Sequence, residues 1–296
     1  MTLSELAATV PMTVIREARF ESLGLLSDRR RGLLASFYDA KARRECAANG
    51  DLAAVITTEA LADSVPRHIG VAITDMPRER FFEAHRYLGS ATEFYGPSTV
   101  SQISRDARID PAAVVSAVGV HIGSGCILEP GAILMPGTML DSGVIVRAGA
   151  VLGAEGFHPV PYHGHVRNLP HYGTVQIGRD AEILSNAVVC RSVFNGATTV
   201  GAGTLIGPLA YVAHGVQIGA NCRIAASARL AGSSTLGDGV YVGQNAVVSN
   251  QIRIGDGARV SIAAVVVRDV APGATVTGHF ALDHRRFLST WARLFR

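Results

Sequence analysis

The chain has 296 residues, and its 27 Lys and Arg against 24 Asp and Glu leave a formal net charge of only +3. Such a weak charge gives no general attraction to nucleic acid or to an anionic membrane surface, so neither partner is predicted. The 32 glycines and the low aromatic content favour short, close-packed strands with frequent turns over a helical bundle.

The sequence gives no sign of a membrane or secreted protein. It has no run of about 18 apolar residues, so no membrane span is predicted. The opening segment "MTLSELAATVPMTVIREARF" is too acidic and too interrupted for a secretory signal. Cys46, Cys126, Cys190 and Cys222 are widely spaced and form no C-x-x-C pair, which is typical of free thiols in a reducing compartment. We therefore predict a cytoplasmic location.

Residues 1–97 carry no long-range repeat and are predicted to form a small α/β domain. The segment "RRGLLASFYDAKARRECAA" is typical of a strand followed by a helix, and so is "LAAVITTEAL". "HIGVAITDMP" predicts a further strand, and "RERFFEAHRYLG" predicts a helix.

Residues 98–278 follow a six-residue period, in which every sixth residue from Val200 onward is apolar. The residue two places before each of these is usually small or β-branched. The periodic positions are Ile206, Val212, Ile218, Ile224, Leu230, Leu236, Val242, Val248, Ile254, Val260 and Val266. An earlier block keeps the period from Ile103 to Leu152, with a one-residue slip near "SAVGVH".

A pure period of six matches neither an amphipathic helix nor an ordinary half-buried strand. It is the hexapeptide repeat, in which each six residues supply one short strand and one turn of a triangular parallel β-helix. Three repeats make one coil of 18 residues, and successive coils stack at the strand spacing of about 4.8 Å. The predicted fold class is therefore mainly β, a parallel β-helix.

Two segments depart from this period. Residues 155–173, "EGFHPVPYHGHVRNLPHYG", are rich in Pro and His and are predicted to leave the wall as a long excursion loop. Residues 279–296 place Phe280, Phe287, Leu288, Trp291, Leu294 and Phe295 mainly on one face, with arginines around it. This pattern predicts a C-terminal amphipathic helix.

Three ordered motifs resemble those of a known family. "VLGAEGFHP" resembles G-A-D-G-F-G, "HVRNLPHYGTVQIG" resembles W-V-K-I-P-Q-x-G-x-V-x-I-G, and "VAHGVQIG" resembles I-A-H-N-V-x-I-G. These motifs belong to the UDP-3-O-acylglucosamine N-acyltransferases of lipid A, and hence lipopolysaccharide, biosynthesis, which the chain resembles over roughly residues 25–296. The resemblance implies a left-handed β-helix, a hand that the repeat alone does not give, since parallel crossovers are usually right-handed.

The resemblance also implies two catalytic residues. The histidine of I-A-H-N-V is the family's general base, and it falls on His214. An acceptor amine or hydroxyl must lose a proton as it attacks an acyl thioester, and imidazole is suited to accept it. Gly232 follows 18 residues later, where the matching family glycine donates its N–H to the thioester oxygen. By position alone, His214 could also be a solvated turn residue.

The chain departs from the family at the acceptor site. The family's Asp-Asn-Gln before the base is matched by Gly207, Pro208 and Leu209, and its second histidine by Gln251, which cannot carry a proton near neutral pH. The two aromatic residues that hold uracil in the family are matched by Ser36 and Ala42. Phe37 or Tyr38 could take their place, and these losses indicate a family member retuned to another acceptor.

Further binding residues are predicted around the excursion loop. Phe157 and His158 are assigned to the lining of an acyl or sugar pocket, with packing as the alternative for Phe157. Asn250 and Gln251 are candidates for substrate contact, and Arg191 for contact with a phosphate, although turn capping and solvation are the respective alternatives for Asn250 and Arg191. The loop histidines at 158, 163, 165 and 171 follow no zinc spacing, so no metal site is predicted.

We expect an enzyme that moves an acyl group from a phosphopantetheine thioester to an amine of a sugar or sugar nucleotide. The donor would be acyl carrier protein or coenzyme A, with no bound cofactor. The resemblance implies a homotrimer whose active sites lie between neighbouring prisms, and an acyl carrier protein attracted to the terminal arginines. Two alternatives remain: an acetyl-CoA-dependent amino-sugar N-acetyltransferase, and a catalytically silent scaffold that binds a sugar nucleotide.

Overall fold

The computed structural model describes residues 1–39, 42–96, 99–162, 164–278 and 283–294. The amino-terminal part contains four helices and five strands. In chain order they are α1 (Leu3–Ala7), β1 (Thr13–Arg16), β2 (Ser22–Leu23), β3 (Leu33–Phe37), α2 (Arg43–Ala48), β4 (Leu52–Thr57), α3 (Glu59–Ala62), β5 (Gly70–Ile73) and α4 (Pro77–Ala91).

The five strands form one sheet in the order β1-β5-β4-β3-β2. Strand β1 is antiparallel to β5, and the other pairs are parallel. Helix α4 begins with Pro77 in its first turn, where a missing N–H costs nothing, and buries Phe81 and Leu88. The strands and helices predicted from the four sequence segments are thereby confirmed.

The prism that follows is built from short strands. Before the excursion these are β6 (Gln102–Ile103), β7 (Arg108–Ile109), β8 (Val114–Val115), β9 (His121–Ile122), β10 (Ile127–Leu128), β11 (Ile133–Leu134), β12 (Thr138–Leu140), β13 (Ile145–Val146) and β14 (Val151–Ala154). The excursion contains β15 (Pro159–Tyr162) and β16 (His165–Asn168). After it come β17 (Thr174–Ile177), β18 (Glu182–Ile183), β19 (Val188–Cys190), β20 (Ala197–Val200), β21 (Leu205–Ile206), β22 (Tyr211–Val212), β23 (Gln217–Ile218), β24 (Arg223–Ile224), β25 (Arg229–Leu230), β26 (Thr235–Leu236), β27 (Tyr241–Val242), β28 (Val247–Val248), β29 (Arg253–Ile254), β30 (Arg259–Val260), β31 (Val265–Val266) and β32 (Thr275–Val276).

These strands stack into three parallel sheets, the walls of a triangular prism. Wall 1 runs from β7 to β32, wall 2 from β8 to β31 and wall 3 from β6 to β29. Each strand pairs with the strand one coil later, so Ile206 lies beside Ile224 and Val212 beside Leu230. The 18-residue coil and the parallel β-helix predicted from the period are confirmed.

The period works because one residue of each six points into the prism. All periodic residues from Ile206 to Val266 are buried, as are small residues two places before them, such as Ala228 and Ser234. The narrow interior admits one aliphatic chain per strand and little else, so each coil buries a closed apolar layer. The four cysteines are free and buried.

The excursion leaves the prism at the corner between walls 2 and 3. The chain departs after β14, forms an antiparallel hairpin from β15 and β16, and rejoins wall 3 at β17. Its apolar residues Val160 and Leu169 are buried in the same cluster as Phe81 and Leu88 of α4. The hairpin is therefore packed against the amino-terminal region and covers this corner of the prism.

Polar contacts from α4 fix the excursion further. The carbonyl of Pro170 lies 2.8 Å from His85 Nε2, so this nitrogen carries the proton and donates it. The other nitrogen, Nδ1, then accepts the hydroxyl of Tyr95 at 2.5 Å. Arg86 donates to the carbonyl of Asn168 at 3.0 Å and stacks on the ring of Tyr162. Helix α4 thus sets where the loop histidines lie.

His85 should make the fold sensitive to acid. Its side chain is fully buried, and this burial lowers its pKa to about 4. The charged form of His85 is disfavoured only in the folded state. The neutral ring therefore makes its full contribution to the free energy of unfolding above pH 6.5, and this contribution is lost as the pH falls towards 4. We expect the free energy of unfolding, measured with urea, to fall by about 3 kcal/mol less in His85→Gln than in the wild type between pH 7 and 4. Equal losses would contradict the assignment, and the exposed His68→Gln is the control.

Helix α5 (His284–Leu294) follows the prism. The predicted positions Phe280 and Phe295 lie outside the described residues, as do the side chains of Phe287, Leu288, Trp291 and Leu294. Within the described parts of the chain, no helix is both long enough and apolar enough to cross a membrane.

Candidate active site

His214 lies at the corner between walls 2 and 3, in the turn from β22 to β23. The next residue, Gly215, has φ +70°, a left-handed conformation that glycine adopts without strain. Its N–H donates to Oγ1 of the buried Thr198 at 2.8 Å. The turn is thereby fixed, and it presents a half-buried imidazole at the edge of the prism.

Gly232 lies directly against this imidazole. It occupies the same corner one coil later, because β22 pairs with β25. A Cβ at Gly232 would come within 2.5 Å of Cε1 and 2.7 Å of Nε2 of His214. Among the described residues the Gly232 N–H has no hydrogen-bond acceptor, while its carbonyl accepts from Gln251 N at 3.1 Å. The site thus has a base and a free N–H donor side by side.

Two further imidazoles from the excursion surround His214. The ring centroid of His158 is 5.4 Å from that of His214, and the centroid of His171 is 5.6 Å away. Gly156 separates them, since a Cβ there would lie 3.2 Å from His171 Nε2 and 3.4 Å from His214 Cδ2. The absence of a side chain at Gly156 thus leaves room for both imidazoles, and a Cβ there would crowd His171.

This environment keeps the histidines neutral. Burial, and then the neighbouring imidazoles of His158 and His171, lower the pKa of His214 to about 4. Burial also lowers the pKa values of His158, with a contribution from Arg78, and of His171. At neutral pH His214 therefore holds a free lone pair and is ready to accept a proton.

His171 is buried in a defined tautomer. Its Nδ1 lies 2.8 Å from the carbonyl of Leu169, so Nδ1 carries the proton and Nε2 is an acceptor. That Nε2 atom is buried and has no hydrogen-bond partner among the described residues. The backbone N–H of His171 donates to the carboxylate of Glu155 at 3.2 Å. His171 thus packs beside His214 as a neutral ring.

His214 opens into a cavity of about 300 Å³ between the prism corner and the amino-terminal region. This base cavity adjoins a larger cleft of about 770 Å³, and four residues line both: Leu25, Asp28, Ser233 and Thr235. The remaining residues that line the larger cleft are Gly24, Leu26, Ser27, Ser36, Tyr38, Asp39, Ala42, Glu45, Gln251 and Arg253.

The structure brings some of the predicted binding residues together and separates others. His158 lines the base cavity, and Gln251 lines the larger cleft. Asn250 is exposed at the same corner as His214, two coils away, and lines neither space. Phe157 is 82% exposed and lines neither cavity in the single chain, so its predicted pocket role stays a prediction.

Arg191 lies on the far side of the excursion. Its guanidinium is 3.4 Å from the Glu155 carboxylate and donates to the Pro136 carbonyl at 3.4 Å. It lines a separate cavity of about 750 Å³ with Tyr95 and Tyr172. It is therefore not part of the space around His214.

The residues that depart from the family motifs also have defined places. Gly207, Pro208 and Leu209 lie between β21 and β22, at the corner between walls 1 and 2, so they are away from His214 of the same chain. Of the two residues proposed as aromatic replacements, Phe37 is buried in the core, whereas Tyr38 is exposed and lines the larger cleft.

The sequence did not point to two residues of the site. Tyr211 occupies an outward strand position, yet its hydroxyl accepts from Cys190 Sγ at 3.4 Å and lies beside Gly156. Asp28 lines both cavities, and burial raises the pKa of its carboxyl. Neither residue stands in a motif. Only the outward position of Tyr211, one residue before the inward Val212, could have indicated it.

Within the described ranges, which omit His163, no group of three or more His, Cys, Asp or Glu side chains is arranged to hold a metal ion.

Comparison with known proteins places the repeats in a recognised class. Residues 119–154 and 197–232 match the bacterial transferase hexapeptide family (six repeats). These two segments of the chain are therefore hexapeptide repeats. The mainly β, parallel β-helix class is thereby confirmed, and its left hand stays a prediction from the resemblance.

Named relatives of this chain share its sequence in part. It is 50% identical over 147 residues to UDP-3-O-acylglucosamine N-acyltransferase 3 of Gloeobacter violaceus, which is 49% of this chain and 42% of the relative. It is 45% identical over 140 residues to UDP-3-O-acylglucosamine N-acyltransferase of Oleidesulfovibrio alaskensis, 47% of this chain and 41% of the relative. The matches thus span less than half the length of these relatives. Among solved structures, the UDP-N-acetylglucosamine acyltransferase of Campylobacter jejuni is 20% identical, covers 64% of this chain and 83% of its own, and has a TM-score of 0.46.

Proposed function

We propose that this protein is an N-acyltransferase that moves an acyl group from a phosphopantetheine thioester to an amine of a sugar nucleotide. The observation that carries the proposal is the pairing of a neutral His214 with the free N–H of Gly232 at one corner of the prism. The names of the relatives, which are N-acyltransferases, support the same reaction class.

His214 acts as the general base. An amine that attacks a thioester carbonyl becomes acidic as its bond to carbon forms, and a neutral imidazole then takes its proton. The low pKa of His214, about 4, keeps that imidazole unprotonated at neutral pH. It also makes His214 a weak base, so proton transfer follows the start of bond formation instead of preceding it.

The Gly232 N–H stabilises the oxyanion. As the amine attacks, negative charge develops on the thioester oxygen, and a fixed N–H donor there lowers the barrier by roughly 3 kcal/mol. Because Gly232 touches the His214 ring, a carbonyl carbon placed beside the imidazole has its oxygen within reach of this donor. His214, which lines the base cavity, and Gly232, which lies against its ring, would thus supply the two groups that acyl transfer requires.

The larger cleft suits the acceptor. It adjoins the base cavity, it carries the exposed ring of Tyr38 for a nucleobase, and Arg253 supplies a cation for phosphate groups. Ser36 and Ala42 line it, in the places where the resemblance predicts aromatic residues. A sugar nucleotide lying along the cleft would therefore bring its amine to His214 with Tyr38 as the single aromatic contact.

The assembly and the donor belong to the same proposal. A homotrimer would cover apolar residues that the single chain exposes on the excursion, such as Phe157 and Val166. Arginines of α5, including Arg285 and Arg286, are exposed and suit the acidic surface of an acyl carrier protein. The reaction needs no bound cofactor, and a cytoplasmic location fits the four free thiols.

The test is a screen of donors and acceptors read by mass spectrometry. Acyl carrier protein thioesters of several chain lengths, and acetyl-CoA, are each mixed with UDP-linked amino sugars and with the matching hydroxyl sugars. We expect an amide product with a long-chain acyl carrier protein donor and an amino sugar, and none with the hydroxyl analogue.

The outcomes separate the alternatives. Turnover with acetyl-CoA alone would favour the amino-sugar N-acetyltransferase. Binding of a sugar nucleotide, seen by calorimetry, with no product from any donor would favour the silent scaffold and contradict the proposed activity.

A further inference from the structure

His158 shares the base cavity with His214 but reaches it from a different part of the chain. The two rings are 5.4 Å apart between centroids and inclined at 51°. His158 lines the part of the cavity that the larger cleft does not share, together with Ser192 and Phe194. If the acceptor amine enters from the larger cleft, the end of the base cavity beside His158 remains for the thioester.

The position of His158 is held by contacts that do not involve its ring nitrogens. Its backbone N–H donates to Oδ1 of Asn168 at 2.8 Å, and Nδ2 of Asn168 donates to the Gly156 carbonyl at 3.0 Å. The ring packs edge-on against Phe82 of α4, with centroids 6.1 Å apart. The ring nitrogens make no hydrogen bond to another described residue, so both are available for chemistry.

The sequence context makes this imidazole specific to the chain. His158 stands where the motif G-A-D-G-F-G ends in glycine. The chain meanwhile has Gln251 where the family motif has its second histidine, and Gln251 lies in the larger cleft. Compared with the family motifs, this chain thus lacks the histidine at position 251 in the cleft and has an additional histidine, His158, beside His214.

We propose that His158 is a second catalytic residue, a relay that delivers the proton collected by His214 to the departing thiolate; this rests on the proposed acyl transfer. The amine nitrogen bonds to the carbonyl carbon, and its proton passes to His214. The C–S bond breaks and its electron pair stays on sulfur. His214 passes its proton to the unprotonated nitrogen of His158, directly or through one water, while the N–H on the other side of that ring protonates the sulfur. The products are the amide and a thiol.

The experiment compares two donors that differ only in the leaving thiol. One is a thioester of pantetheine, whose alkyl thiolate is basic and needs a proton. The other carries the same acyl chain on 4-nitrothiophenol, whose thiolate is a weak base and leaves without one. Wild type, His158→Gln, His158→Asn and His214→Ala are assayed with both donors. The control is His165→Gln, an exposed residue of the same hairpin.

We expect His158→Gln and His158→Asn to lower kcat/KM about 50-fold with the pantetheine donor and less than about 3-fold with the nitrothiophenol donor. His214→Ala should lower it with both, and His165→Gln with neither. An equal loss with both donors, or no loss, would overturn the relay while leaving the acyl transfer intact. A wild type that is inactive with both donors would instead contradict the proposed function, and the relay with it.

Discussion

Replacing His214 with alanine should lower kcat/KM for amide formation by roughly 10³-fold. The imidazole of His214 is the proposed base in the cavity, and the neighbouring imidazoles of His158 and His171 belong to the excursion, so they do not take its position beside Gly232. The measurement is initial rates with the donor and acceptor that the screen identifies, followed by mass spectrometry of the amide.

Two controls make the result specific. His121→Ala removes an exposed histidine from the prism and should leave the rate within about 2-fold of wild type. The midpoint of thermal unfolding of His214→Ala should stay close to that of wild type, because the ring is only half-buried in a surface turn. A folded His214→Ala variant that keeps wild-type turnover would remove His214 from the mechanism.

Replacing Gly232 with alanine should lower the rate roughly 10²-fold, although it adds one methyl group. The new Cβ would lie 2.5 Å from Cε1 of His214, so the imidazole must turn away from the cavity. The turn itself accepts alanine, since Ala226 occupies the equivalent position one repeat earlier, and in both turns the next residue is left-handed. The loss should therefore appear in kcat and not in the stability of the prism.

A double-mutant cycle tests this route. If Gly232→Ala acts by displacing the imidazole, it should cost little more in a His214→Ala background, where no ring remains to displace. Gly50→Ala is the control, because no heavy atom lies within 4 Å of the added Cβ. A full additional loss in the double variant would contradict this route, because the added methyl group would then disturb the site without acting through His214.

The prism could be predicted because its determinants are local and repeated. An apolar residue every six positions decides which side chain enters the interior, and residues such as Ile206 and Val242 are buried as the period requires. The slip near "SAVGVH" also appears, because the step from Val115 to Ile122 is seven positions instead of six. Such a pattern survives in the sequence because every coil solves the same packing problem.

The site was only partly predictable because it depends on contacts between distant segments. The place of His158 is set by Phe82 of α4 and by Asn168, and that of the excursion by His85 bonding to Pro170, 85 residues away. No periodic pattern encodes such pairings. That His214 and Gly232 lie side by side could be predicted, because their separation of 18 residues equals one coil.

The same coil length restricts how such a chain can change in evolution. His214 and Gly232 are neighbours because their separation equals one coil of the prism. An insertion or deletion of one residue between them would therefore move the glycine away from the imidazole. Segments that leave the prism at a corner, like the hairpin after β14, are not part of the 18-residue coil, so their length can change without shifting the walls. Descendants of this chain should therefore differ in their corner loops while keeping the spacing from base to glycine fixed at 18.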